Sequence, residues 1–270
     1  MKKTISLLLM LSLIFISAQE QTYSDKEFQQ KLDSIKAEGN LLYSMENASW
    51  NSSDLLNKNK KVRDIAGNYL TYKSNDTVKT VFLNKDQDLV VAEYSFKNNL
   101  KNAVKENFTQ RKLNDRETNL KTVREKIIPQ LSEPKYEVGT PKDYTLNIII
   151  IPFNEGYKTY LIPGTSQSGI IPFGNDYLFY SDKEGKISSS KRFHSRLIPT
   201  MTAMAGEGTM TMTTHSHLRT NPFISATDIC TFKLYAPLTT LDEFSVYSPA
   251  LGVYMKYNYK KDILEKTTKP

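Results

Sequence analysis

The residues of this chain best suited to chemistry lie in one short run, HSHLRTNPFISATD, from His215 to Asp228. His215 and His217 stand at i and i+2 at the end of Thr209–Thr214, a stretch that reads as a strand. Both imidazoles therefore leave one face, with Cα atoms about 7 Å apart. Seven residues then lead to Ser225, and Asp228 follows three positions later. If a helix opens at Ser225, Asp228 falls in its first turn, and the intervening loop can fold it back beside the histidines. Two neutral imidazoles and one carboxylate form the three-ligand set of an open catalytic zinc site. Zinc brings the pKa of a water in the fourth position to about 7.

The same spacing has a second meaning. Ser-x-x-Asp at a helix start is close to a capping box, in which Asp228 turns back to the amide of Ser225 and the histidines face solvent. Geometry separates the two readings, because ligands about 2.0–2.2 Å from a tetrahedral ion lie roughly 3–4 Å from one another. The third histidine of the chain, His194 in KRFHSRLIP, is a candidate for proton transfer or for a further ligand. Cys230, two residues beyond Asp228, reads as a core-facing, inert thiol.

His-x-His, seven residues, then Ser-x-x-Asp resembles the motif of the JAB1/MPN (JAMM) metalloproteases, in the JAB-like form found in bacterial secreted and toxin-associated proteins. The resemblance implies zinc on His215, His217 and Asp228, with Ser225 steadying the oxyanion. It is specific over residues 209–258, whose closing FSVYSPALGVYMKY is similar to the tail of those domains, and only topological back to Tyr144. Residues 19–140 lie outside it. Two positions depart from the family: Leu218 stands where proline is common, and no acidic residue sits in a recognisable version of the upstream general-base glutamate motif. Glu155, sixty residues before His215, is the best placed substitute by distance, followed by Glu207.

The elements that must position these side chains read as α+β. A helix is expected over Ser24–Ser44 with Ser24 as N-cap, then a polar, turn-rich stretch after Trp50 as far as Ile65. A three-stranded meander follows at Asn68–Tyr72, Val78–Leu83 and Leu89–Phe96, and a second helix spans Asn98–Leu131, ended by Pro129 and Pro134. Residues 129–143, with three prolines, form the boundary between an N-terminal region (19–135) and a metal-binding domain (144–260) with a short tail (261–270). In that second part the four isoleucines of Leu146–Ile151 suit a strand buried on both faces. Further strands are expected at Lys158–Ile162, Asp176–Tyr180, Glu243–Tyr247 and Gly252–Tyr257, a hairpin turn at Asp182–Gly185, and a helix over Ser225–Tyr235. The resemblance implies a mixed sheet with flanking helices, in JAB1/MPN-like (cytidine-deaminase-like) layering.

The ends and the charge narrow the function further. Lys2 and Lys3, the apolar Ile5–Ile16 and the exit Ser17-Ala18 read as a signal peptide, residues 1–18, too short to cross a bilayer, which needs about 20 residues. That places the mature chain in the periplasm or outside the cell, with no membrane span. Removing Lys2 and Lys3 from 36 basic residues leaves 34 against 29 acidic, or +5, scattered among acids rather than gathered in a block, which argues against nucleic-acid binding. A single cysteine allows no internal disulfide, so the core must hold the fold. Two functions fit. One is a zinc-dependent hydrolase of the amidase or peptidase type, acting on a peptide or another amide, with Ser225, Glu155 and His194 as catalytic candidates. The other is a binding or structural module that keeps the fold and the ion without catalysis.

Overall fold

The computed structural model describes residues 23–97, 100–202 and 210–270. Residues 1–18, read from the sequence as a signal peptide, and Glu207 lie outside the described residues. Helix α1 (Asp25–Lys58) begins at Ser24, whose hydroxyl accepts the amide of Glu27 while the Glu27 carboxylate accepts the amide of Ser24. It runs well past the expected end at Ser44, and the stretch after Trp50 is helical rather than turn-rich, continuing after Asn59 into the short α2 (Lys60–Arg63). The polar residues there are satisfied inside the helix. Ser49 Oγ donates to Met45 O at 3.0 Å, Ser53 Oγ to Ser49 O at 2.9 Å, and Asn51 Nδ2 to Asn47 O at 2.9 Å.

Strands β1 (Ala66–Ser74), β2 (Thr77–Asn84) and β3 (Leu89–Phe96) form the antiparallel meander that the sequence predicts. The expected helix from Asn98 is confined to α3 (Asp115–Leu131). Before it, β4 (Lys105–Asn107) and β5 (Arg111–Lys112) pair with β3, which leaves Val104 and Phe108 exposed. The cause is ionic: Arg111 reaches both Glu93 on β3 and Glu117 on α3 at 2.7 Å, holding its own segment extended along the sheet. Helix α3 then starts at the Asn114–Glu117 capping box, and Pro129 sits in its last turn rather than ending it.

The second half is built from β6 (Thr145–Phe153), β7 (Gly156–Gly164), β8 (Ile170–Gly174), β9 (Tyr177–Ser181), β10 (Ile187–Arg192), β11 (Leu197–Met201), β12 (Met212–Ser216), α4 (Ala226–Tyr235), β13 (Glu243–Ser248), β14 (Val253–Asn258) and β15 (Ile263–Thr267). They form a β10-β9-β7-β6 sheet, a β11-β8 pair and a β12-β13-β14-β15 sheet. All pairings are antiparallel except β12 with β13, which α4 connects as a crossover. The class is mixed α+β with several antiparallel sheets. Strands β8, β10, β11 and β15 carry no signal that the sequence reading picked up.

Packing crosses the expected boundary at 129–143. One hydrophobic core joins Phe28, Leu32, Leu42 and Met45 of α1 to Ile229, Phe232, Phe244 and Tyr257 of the C-terminal half. Helices α1 and α4 are packed tightly at Gly39, where an added Cβ would lie 2.7 Å from Ile229 Cβ. A second core sits between α3 and the sheets. The isoleucine strand β6 serves both. Ile149 belongs to the first and its neighbour Ile150, on the opposite face, to the second. Burial on both faces is thus confined to these two, because β6 is a sheet edge and Ile148 and Ile151 are half-exposed. Among the described residues, no helix is long and apolar enough to cross a membrane.

Candidate metal centre

Strand β12 carries His215 opposite Val246 of β13, and the amide of His217 donates to Tyr247 O at 3.0 Å, extending the ladder by one more bond. The two histidines therefore share a face, as the i, i+2 spacing requires. His215 is held by its surroundings, with Phe173 at 4.9 Å and Phe244 at 6.1 Å between ring centroids.

Asp228 reaches the same point from α4. Ser225 is the N-cap, its hydroxyl accepting the Asp228 amide at 3.0 Å, while Asp228 Oδ2 accepts the Ser225 amide at 2.9 Å. The capping box and the histidine cluster, alternatives from the sequence, are present together. Oδ2 serves the cap and also lies 3.0 Å from His217 Nε2. Oδ1 lies 3.4 Å from His215 Nε2 and 3.5 Å from His194 Nε2, yet has no hydrogen-bond partner among the described residues.

His194 arrives from the turn between β10 and β11, its Nε2 at 2.8 Å from His217 Nε2. The loop before α4 is fastened to this turn by Asn221, whose Nδ2 donates to Arg192 O and Phe193 O. On the far side, Gly174 at φ 74° lets the chain pass within reach of Arg196; an added Cβ would stand 2.3 Å from Arg196 O. That turn delivers Asp176, 1 % exposed, whose Oδ1 lies 2.7 Å from His194 Nδ1. Thr227 donates its hydroxyl to Asp176 Oδ2. Ser225 Oγ stands 2.7 Å from both Thr227 Oγ1 and Asp228 Oδ2, and its single proton goes to one of them.

His194, His215, His217 and Asp228 are all buried, and one ligand atom from each lies within 4.8 Å of every other. The protonation states suit a cation. Burial raises the Asp228 carboxyl, but His194, His217 and His215 outweigh it and hold the group well below the usual carboxylate range. Burial pushes His215 down toward the neutral, ligating form despite Asp228. Burial also opposes charge on His194, but Asp176 and Asp228 override it and push the imidazole up to about 9. The cluster thus seeks a positive charge at its centre, and a proton or a metal ion supplies one. An ion also answers a specific deficit, since His215 Nε2 and Asp228 Oδ1 are buried polar atoms that no hydrogen bond among the described residues satisfies.

Of the candidates from sequence, His215, His217, Asp228 and His194 come together. Ser225 stands beside them, but its hydroxyl is engaged in the cap and with Thr227. Glu155 does not come near. It is exposed in the tight turn joining β6 to β7, where Tyr157 pairs with Ser181 at the end of β9 remote from Asp176. Five strand residues, roughly 16 Å, separate that end from Asp176. A role for Glu155 as base at this centre is therefore corrected by the register of the β7–β9 pair. Cys230 is buried, and its thiol is pushed well above its ordinary value by burial. Asp176 and Thr227 were missed. The available signal for Asp176 was a lone carboxylate between the apolar runs Ile170–Phe173 and Tyr177–Tyr180.

No family model, curated protein or solved structure matches this chain.

Proposed function

We propose that this protein is a zinc-binding module in which His194, His215, His217 and Asp228 enclose one ion as a closed, four-ligand centre. The observation that carries this reading is the convergence of four buried donors, two of whose atoms, His215 Nε2 and Asp228 Oδ1, have no hydrogen-bond partner among the described residues. Three imidazoles and one carboxylate whose ligand atoms all lie within 4.8 Å of one another, with four of the pairs at 2.8–3.5 Å, suit a tetrahedral ion of the zinc type, and four protein ligands are the mark of a structural rather than a catalytic site. The ion would tie β12, α4 and the β10–β11 turn into one unit. The JAMM-like spacing of His215, His217, Ser225 and Asp228 supports a JAB1/MPN-like origin for the layering around it.

A second reading is favoured by the Asp176–His194 pair. Here only His215, His217 and Asp228 hold the ion, and the protein is an amidase or peptidase acting outside the cytosol. Zinc would supply Lewis-acid polarisation of an amide carbonyl. His194 would carry a proton on Nε2, with Asp176 holding its Nδ1.

One experiment separates the readings. Protein purified without chelator is expected to hold about one equivalent of zinc, and less than a tenth of an equivalent overturns both. Replacing His194 by Ala removes one of four ligands in the closed centre and is expected to weaken zinc binding while the other three still hold the ion. If His194→Ala binds zinc with the parent's affinity, the four-ligand centre is wrong and the hydrolase reading stands.

A further inference from the structure

We infer that Asp176 is a positioning residue of this centre: it accepts the Nδ1 proton of His194, turns Nε2 toward the ion, and is itself fixed by Thr227. The inference rests on the zinc reading above. The three imidazoles are oriented by different means. His215 and His217 are fixed by the β12 ladder, and His215 also by the Phe173 and Phe244 rings. Their Nδ1 atoms are buried without a hydrogen-bond partner among the described residues. His194 sits on a turn, where no ladder sets its ring, and it alone of the three has its far nitrogen anchored.

Both oxygens of Asp176 are committed, Oδ1 to His194 and Oδ2 to Thr227. No lysine or arginine pairs with this carboxylate, so His194 is its one ionisable partner among the described residues. Burying a carboxylate is costly unless it is paired and hydrogen-bonded, and here the pairing runs to the imidazole of a metal ligand. Thr227 is the residue before Asp228, so one turn of α4 supplies both a ligand and the hydroxyl that holds the carboxylate behind another ligand. Carboxylate, imidazole and ion then form the arrangement in which an outer partner fixes the tautomer and raises the basicity of the ligating nitrogen.

The test uses the full mature chain with zinc and, separately, cobalt(II) as the probe metals, affinity being measured by competition with a chromophoric chelator. In Asp176→Ala the zinc affinity is expected to fall 10–100-fold. The cobalt absorption bands at saturation are expected to move to those of His194→Ala, since the same nitrogen is lost. Asp176→Asn, which keeps an acceptor for Nδ1–H, recovers part of the affinity. A loss of affinity with an unchanged cobalt spectrum, or an affinity within twofold of the parent, overturns the positioning role. Should Asp176→Ala fail to fold, Thr227→Val against Thr227→Ser decides. Loss in the first with retention in the second supports the role, and equal affinities overturn it. A parent protein that binds no metal would sink the zinc reading itself, which is a different result.

Discussion

Asp228 has two tasks at one side chain, and the division between its oxygens explains why its sequence context reads two ways. Oδ2 completes the cap of α4 and lies against His217, while Oδ1 faces His194 and His215. His215, His217 and Asp228 were legible because their relations are local: a two-residue step on a strand and a three-residue step into a helix. Asp176 was not, because it meets His194 only through the tertiary closure of a glycine turn. A second buried acid, Glu46 on α1, is 2 % exposed and accepts only the Trp50 indole, at 2.7 Å. Burial pushes its pKa from 4.5 to about 7, the Trp50 bond opposing. The folded state therefore binds the proton more tightly than the unfolded chain. The resulting stabilisation is complete below pH 4.5 and is lost as pH rises through about 7. The gap corresponds to about 3 kcal/mol. Denaturant titrations are expected to show the parent losing roughly that much relative to Glu46→Gln between pH 5 and pH 8. Parallel curves for the two proteins would show that Glu46 titrates normally.

At the level of elements, the centre depends on how α4 lies on α1. At Gly39 the contact is too tight for a side chain, and this residue faces Ile229, the residue after Asp228. A methyl there meets Ile229 Cβ at 2.7 Å and Ala226 O at 3.0 Å, so α4 must shift or strain. Gly39→Ala is expected to cost about 1–3 kcal/mol, outweighing the gain in helix propensity of about 1 kcal/mol. Chemical denaturation checks it; a variant more stable than the parent would mean that the helices have slack. Element types followed the periodicity in the meander and α4, where side chains reported burial over a whole element. They were missed where polar residues settle locally. The serines and Asn51 of late α1 bond back to the helix, and Arg111 holds residues before α3 against the sheet, neither of which a hydrophobic pattern registers.

Across the whole molecule, the N-terminal helix belongs to the same core as the elements that carry the centre. The proline-rich stretch at 129–143 marks a change of texture in sequence but not a break in packing. A fragment starting at residue 144 leaves Ile229 and Phe232 without Leu32, Leu42 and Met45 of α1. It is expected to lack cooperative thermal unfolding, and the full chain is expected to melt in one transition. A fragment that melts sharply on its own would restore the two-domain division.

Strand β6 adds a consequence for the order in which the molecule comes apart. Ile149 and Ile150 are consecutive residues anchored in different cores, so neither core can open without disturbing the strand that the other relies on. Its partner β7 alternates in the same way, with Tyr160 and Ile162 in the first core and Leu161 in the second. The amides that pair β6 with β7 are therefore expected to exchange deuterium only when the entire chain unfolds, tying the edge of the sheet to its centre.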